Sequence, residues 1–446
     1  MKNIIKNKFG AFAITSLLMI SALECCLAKE NAIVFENGKW MSQPGIELSD
    51  VQNFKPSAEV KLDKYGGWLE KTEKTTGFFH TAKIDGQWWL IDPEGHFFLS
   101  VGMDSVSQTS ADSDDDANET ETNEVSNGIS NWGDRTLTML REHGFNTLGC
   151  WSETTTLRKS PQPMPYCLRW NFMAAYQERR KLKYPGTGKS KGMFPFDPEF
   201  ESFCDEHAKA LEKTKDDPWL LGHFSDNELP LDEKGIVQRF MSFPPNDPCH
   251  EAAAKFMAAR RHVKPVQSDD REFLQLVVNE YYRKVSAAIK RHDPNHLFLG
   301  SRFHGLALAS SAPFIGAGPY TDIVSVNYYH RWTPENDRIE NWSRLAGKPI
   351  LITEWYAKAA DSGLPNQAGA GFPVKTQSDR AKLYQNFTLT LLQNPACVGW
   401  HWFKYRDGTD NNPGIVNVKE EPYSQLLDAM KEINTQAYPL TEILRK

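Results

Sequence analysis

PILITEWYA, Pro349 to Ala357, is a short apolar run rich in β-branched residues that stops on an acid, Glu354. Its length and composition read as a fully buried strand of a parallel sheet, with the acid where the strand gives way to a loop. WLLGHFSDNELP, Trp219 to Pro230, repeats the form and carries Glu228 past its apolar part. The two acids are far apart in the chain. Only a fold that gathers separate strand ends brings them together.

On either side of these two runs, short apolar stretches alternate with helical patterns, the sequence form of repeated βα units. Asp85-Gly86 and Pro93-Glu94-Gly95 punctuate a hairpin that leads into a first strand at Phe97 to Met103. Further strands are expected at Phe145 to Trp151, Tyr166 to Phe172, the Glu228 run, Leu297 to His304, Asp322 to His330, the Glu354 run and Cys397 to Tyr405. Helices are expected over Ile129 to His143, Glu153 to Lys159, Pro198 to Lys213, Asp269 to His292, Gln377 to Gln393 and Tyr423 to Ile433. This is an α/β chain, a (β/α)8 TIM barrel with long βα loops and a short N-terminal extension. Glu228 and Glu354 fall on the fourth and seventh strands, at the end where such barrels carry their active sites.

Lys2, Lys6 and Lys8, the apolar run Phe9 to Leu23 and Cys26-Leu27-Ala28 read as a secretory signal, so the expected division is 1–28 signal, 29–78 extension packed on the barrel, and 79–446 catalytic domain. Export to the periplasm or the medium follows; Cys25 and Cys26 lie at the depth of a lipid-anchor site, although Glu24 suits one poorly. Loss of the signal takes the formal net charge from −6 to −8, against a nucleic-acid partner. No later run is long and apolar enough for a transmembrane segment. Cys150, Cys167, Cys204, Cys249 and Cys397 have neither CxxC spacing nor histidine partners at metal spacing, so no zinc site is expected. Seven acids between Ala111 and Glu124 miss the EF-hand pattern at Ala117 and Asn123 and read as a solvated loop.

Cleaving a glycosidic bond with retention needs one carboxyl group to protonate the leaving oxygen and a second to attack the anomeric carbon. Neighbours must separate their proton affinities. Asn227 directly before Glu228 is a donor to a sugar hydroxyl, and Tyr328 or Tyr329 at the end of the sixth strand is a partner for Glu354. A buried ion pair of Glu354 with Arg302 or Lys404 is the structural alternative. Trp151, Tyr328, Tyr329, Trp332, Trp355, Trp400 and Trp402 gather at the strand ends, where sugar faces stack on aromatic rings. A period of two sets Trp400 and Trp402 on one face and His401 and Phe403 on the other, one of which lines the cavity. Arg302, His304, His223, Lys358 and Lys404 complete the candidate sugar contacts.

With both glutamates assigned, the chain resembles clan A retaining glycoside hydrolases, whose acid/base follows an Asn on strand four and whose nucleophile ends strand seven. WWLIDPEGHFFLSVGMDSV, FDPEF, FSDNELP, ITEWYAKAADSG, GAGFPVKTQSDRAKLYQNF and CVGWHWFKYRD, between Trp88 and Asn417, resemble the β-agarases of glycoside hydrolase family 50. The resemblance implies hydrolysis of β-linkages to galactose in agarose-type galactans or their oligosaccharides, without a metal or organic cofactor. It assigns Glu354 as nucleophile and Glu228 as acid/base. Such agarases usually carry an N-terminal carbohydrate-binding-like domain, and residues 29–78 are too few for one, which brings short oligosaccharides forward as substrates. The alternatives are another clan A exo-acting β-galactosidase or β-glucosidase, and a non-catalytic sugar-binding relative.

Overall fold

The computed structural model describes residues 30–108, 127–183 and 192–446; the expected signal, residues 1–28, and the acidic stretch Ala111 to Glu124 lie outside them. Eight parallel strands form one sheet: β1 Ser100–Met103, β2 Thr147–Leu148, β3 Tyr166–Arg169, β4 Leu220–Phe224, β5 Leu297–Gly300, β6 Val324–Asn327, β7 Ile350–Glu354 and β8 Cys397–Trp402. β8 pairs back with β1. The β5–β6 seam is closed past the strand ends, where Phe303 N donates to Ser325 O at 2.9 Å and Asn327 N donates to Phe303 O at 2.9 Å. The result is a (β/α)8 barrel, with each strand inside a run expected from the sequence.

Every strand is shorter than its expected run, and in two of them the structure shows why. The first is interrupted at Leu99: His96–Phe98 belongs to an antiparallel sheet with Gln87–Ile91, His80–Ile84 and Trp68–Thr72, and β1 starts one residue later. The third stops at Arg169, and Phe172 instead opens a helix, Phe172–Lys183. The cause lies far along the chain. Asp226, past β4, accepts Met173 N at 3.0 Å and Ala174 N at 3.3 Å, satisfying N–H groups that a helix start leaves open. By contrast Gln377–Gln393 carries its own start signal, a Thr376–Asp379 capping box, and has the bounds expected.

The barrel interior has two layers. Its lower part is apolar, with Cys167, Leu221, Leu299, Ile323, Leu351 and Val398 buried together with Leu90 and Phe98 of the antiparallel sheet and Phe79 beside it. Trp88 N donates to Pro395 O at 2.7 Å, holding that sheet beneath β8. The upper part is polar: Ser100, Asp104, Thr147, Ser325, Asn327, Thr353 and His401 are all buried. Polar groups inside a barrel persist only when hydrogen-bonded. This layer is the floor of the site.

At the other end, the hairpin Ala32–Glu36 and Lys39–Gln43 joins a second small sheet with Ala357–Ala359 and Phe372–Val374, both from the loop after β7. Val34 pairs with Val374 and is fully buried. Residues 32–446 form one compact unit.

β8 carries one irregularity that matters for the site. Ile350 faces Cys397 and Ile352 faces Trp400, so Leu351 alone of β7 opposes two residues of β8, Val398 and Gly399. Gly399 has φ +155°, and a Cβ there would stand 2.2 Å from Ser100 O. The bulge switches the alternation, placing Val398 inside but Trp400 outside. Gly399→Ala is expected to lower stability by about 1–3 kcal/mol, read as a lower denaturant midpoint; an unchanged midpoint refutes this account of the bulge.

Candidate active site

The first six of the eight barrel strands end in the same local way. Ser105, Trp151, Asn171, Glu228, Arg302 and His330, one after each of β1 to β6, have φ between +50° and +60°. Left-handed backbone at a residue with a Cβ costs of order 1–3 kcal/mol and concentrates where side chains are held for a purpose. Here it turns Trp151, Glu228 and Arg302 to the barrel mouth.

Glu354 is the last residue of β7 and is 4 % exposed. Arg302 Nη2 donates to its Oε1 and Tyr329 OH to its Oε2. Burial pushes its carboxyl up to about 7; Arg302 opposes that rise, Asp104 and Glu228 add to it, and Tyr329 opposes it. Burial and the Glu354 charge also push the Tyr329 phenol far above its ordinary range, so it remains a donor. For Arg302, burial works against the charge, but Cys150, Glu354 and Asp104 outweigh it and hold the guanidinium above its ordinary value.

Arg302 is fully buried and heavily partnered. Its Nε donates to Asn227 Oδ1 at 3.0 Å, and Nη2 also reaches Asp104 Oδ2 at 3.1 Å and Thr353 O at 3.3 Å. The guanidinium lies 4.6 Å from the centre of the Trp151 ring and 5.2 Å from that of Phe224.

Glu228 has a different setting, its side chain 32 % exposed. Asn327 Nδ2 donates to its Oε1 at 2.9 Å, and His304 Nδ1 stands 3.5 Å from its Oε2. Asn327 is itself aimed by Thr353, whose hydroxyl donates to Asn327 Oδ1 at 2.8 Å. One acid is sealed between a cation and a phenol, and the other opens to solvent beside an imidazole. The two acids thus stand in unlike settings, with Arg302 and Tyr329 gripping the buried one against the rise in proton affinity that burial causes.

The structure thus brings together Glu228, Glu354, Asn227, Arg302, His304, Tyr329 and Trp151, with His401 beneath them in the floor. Other expected contacts lie elsewhere. His223 is fully buried outside the barrel wall, between Trp170 Nε1 at 2.9 Å and Asp293 Oδ2 at 2.8 Å. Tyr328 points away and donates to Glu335 Oε2 at 2.6 Å. Trp355 stacks on Phe387 with centroids 4.0 Å apart, and Trp400 donates to Tyr384 OH at 3.1 Å, both against the Gln377–Gln393 helix. Trp402 donates to Pro413 O at 2.9 Å on the same outer side. These three tryptophans are packing, and the His401 face is the one turned inward. Trp332 donates to Pro44 O at 2.6 Å and pins the N-terminal segment. Lys358 ties its own loop through Ala368 O at 2.9 Å and Gly369 O at 3.0 Å. Lys404 is also buried, and the cation paired with Glu354 is Arg302.

Asp104 and Asn327 are site residues the sequence reading passed over. GMDSV has the signal that marked Glu354, an acid ending an apolar strand, on β1. Arg302→Met, which leaves Asp104 and Glu354 without their shared cation, is expected to cost about 3–5 kcal/mol at pH 8. The loss should shrink at pH 5, because buried carboxylates without a cation bind protons more readily folded than unfolded, so the variant regains stability as pH falls. Denaturant unfolding at both pH values checks this, and equal losses refute it.

No family model matches the chain. Beta-agarase B of Vibrio sp. (strain JT0107) is 27 % identical over 483 aligned residues, 84 % of this chain and 50 % of that protein. Beta-agarase A of the same organism is 24 % identical over 92 % of this chain and 51 % of that protein. The chain spans about half the length of the curated relatives it matches. The crystal structure of BpGH50 superposes with a TM-score of 0.85 at 28 % identity, covering 93 % of this chain and 96 % of that one. The agarase AgWH50C shares the fold with a TM-score of 0.69 at 24 % identity, over 85 % of this chain and 66 % of that one. Over most of its length the chain is therefore similar to β-agarases and to solved structures of glycoside hydrolase family 50.

Proposed function

We propose that the chain is a retaining glycoside hydrolase cleaving β-galactosidic bonds in agarose-type galactans or their oligosaccharides. The observation that carries the reading is the unequal pair at the barrel mouth: Glu354 buried and gripped by Arg302 and Tyr329, Glu228 half-open beside His304. The similarity to β-agarases supplies the substrate class. Glu354 attacks the anomeric carbon from the floor of the barrel while Glu228 gives its proton to the departing oxygen. The ester so formed removes the negative charge beside Glu228, which suits its second role as the base that activates water.

Asn327 and Asn227 hold the acid side in register, one bonded to Glu228 and the other to Arg302. Fixed donors around the reacting carboxylates need not reorganise as charge moves between them.

Glu354→Ala and Glu228→Gln are expected to lower turnover by several orders of magnitude while leaving the thermal transition cooperative. Reducing-end release from agarose, porphyran and their oligosaccharides, with product sizing, reads both variants. Wild-type rates in both overturn the assignment.

The pH profile follows from Glu354 being needed in its ionised form. Its carboxyl is pushed up to about 7, so kcat/KM should climb about tenfold per unit as pH rises towards that value. An acid limb between about 4 and 5 is the result that contradicts this.

A further inference from the structure

Below Glu354, the polar floor contains two buried acceptors that face each other. Asn146 fixes the pattern, because its Nδ2 donates to Leu99 O at 2.9 Å and its Oδ1 accepts from Val101 N at 2.9 Å. Thr147 Oγ1 therefore donates to Asn146 Oδ1 at 3.0 Å, and Ser100 Oγ donates to Thr147 Oγ1 at 3.0 Å. The Ser100 hydroxyl has no second proton to give. Its 2.9 Å contact with His401 Nε2 must then be donated by the ring, which settles the tautomer of a neutral His401.

In that tautomer His401 Nδ1 turns a bare lone pair towards Asp104 Oδ1, 3.7 Å away. Both residues are fully buried and neither atom has another partner among the described residues. Leaving two such acceptors unsatisfied costs of order 1–3 kcal/mol each. The backbone makes room for the pair. A Cβ on Gly102 would stand 2.2 Å from His401 Cδ2, and one on Gly149 would stand 1.8 Å from Asp104 Oδ1.

We propose that His401 carries a proton on Nδ1 as well as on Nε2 and forms an ion pair with Asp104, and that this added proton positions Arg302 for Glu354. The proposal rests on reading Glu354 as the nucleophile. Asp104 Oδ2 and Glu354 Oε1 contact the same guanidinium nitrogen, Arg302 Nη2, so the two carboxylates compete for one cation. The charged and titratable groups around the pair are Arg302, Glu354 and Cys150. Without the added proton the cluster holds two carboxylates against one guanidinium. With it, the imidazolium balances Asp104, and Arg302 is left to Glu354. His401 and Asp104 are positioning residues, since they act on the nucleophile only through Arg302.

The test has a spectroscopic arm and a kinetic arm. In protein labelled with 15N-histidine, the His401 ring, assigned by its loss in His401→Gln, should show both nitrogens protonated at pH 7. A ring protonated at Nε2 alone overturns the proposal. His401→Gln leaves the Asp104 charge unbalanced, so the acid limb of kcat/KM should rise by about one pH unit, a roughly tenfold loss below it. Asp104→Asn added to His401→Gln should bring the limb back. Loss of kcat or stability with no movement of the limb, or a shift the second change does not reverse, also overturns it. If the wild-type protein hydrolyses none of the galactans, the nucleophile reading fails instead, and the ring spectrum still decides whether His401 carries the added proton.

Discussion

The buried guanidinium of Arg302 is the constraint on which the catalytic end of the barrel depends. A cation taken out of water is stable only when its surroundings replace much of the lost hydration, and the Nε and Nη2 sides and both flat faces of Arg302 are so covered. Asp104 and Glu354 supply charge, Asn227 and Thr353 supply oxygen acceptors, and the Trp151 and Phe224 rings cover the flat faces. The residue itself sits at φ +55°, with its backbone N bonded to Ser325 Oγ at 2.9 Å. Strands β1, β5, β6 and β7 and the loop after β4 all converge on one side chain. Moving any of them disturbs the acid that ends β7.

That convergence explains why two carboxylates a short way apart behave differently. Glu354 exchanges water for a cation and a phenol and still has its proton affinity raised, because burial outweighs both. Glu228 keeps water on one side and bonds to an amide and an imidazole edge. The difference is one of position along the strands. Glu354 is still within β7, where the wall of the barrel covers it, whereas Glu228 is four residues beyond the end of β4.

Much of this frame was legible in the sequence, and the reasons are physical. Parallel strands are covered on both faces, so each of the eight reads as a compact apolar run that survives without knowledge of its neighbours. Glu354 stood out because an acid after Ile-Leu-Ile-Thr is rarely exposed. What did not read out depends on partners distant in the chain. The side to which Trp400 and Trp402 point is set by the bulge at Gly399, which breaks the period of two one residue earlier. His223 is turned outward to Asp293, and Tyr328 and Tyr329 share the same local signal although only Tyr329 reaches Glu354. Asp104 carried the same signal as Glu354, and its partner Arg302 lies 198 positions away.

The N-terminal segment looks like an appendage in sequence and acts as part of the wall. Its hairpin adds two strands to the loop that follows Glu354, pairing Val34 with Val374, and Trp332 past β6 bonds to Pro44 O in the same region. Arg380 then locks that loop to the one after β8, through Ala357 O at 2.9 Å on one side and Gly414 O at 2.8 Å on the other. A buried arginine with several carbonyl partners fixes backbone positions more firmly than single loop contacts do. The floor of the site is thus set by charge and its walls by backbone pairing. Because the walls belong to loops rather than to the eight strands, the barrel can keep one floor while different loops admit different sugars.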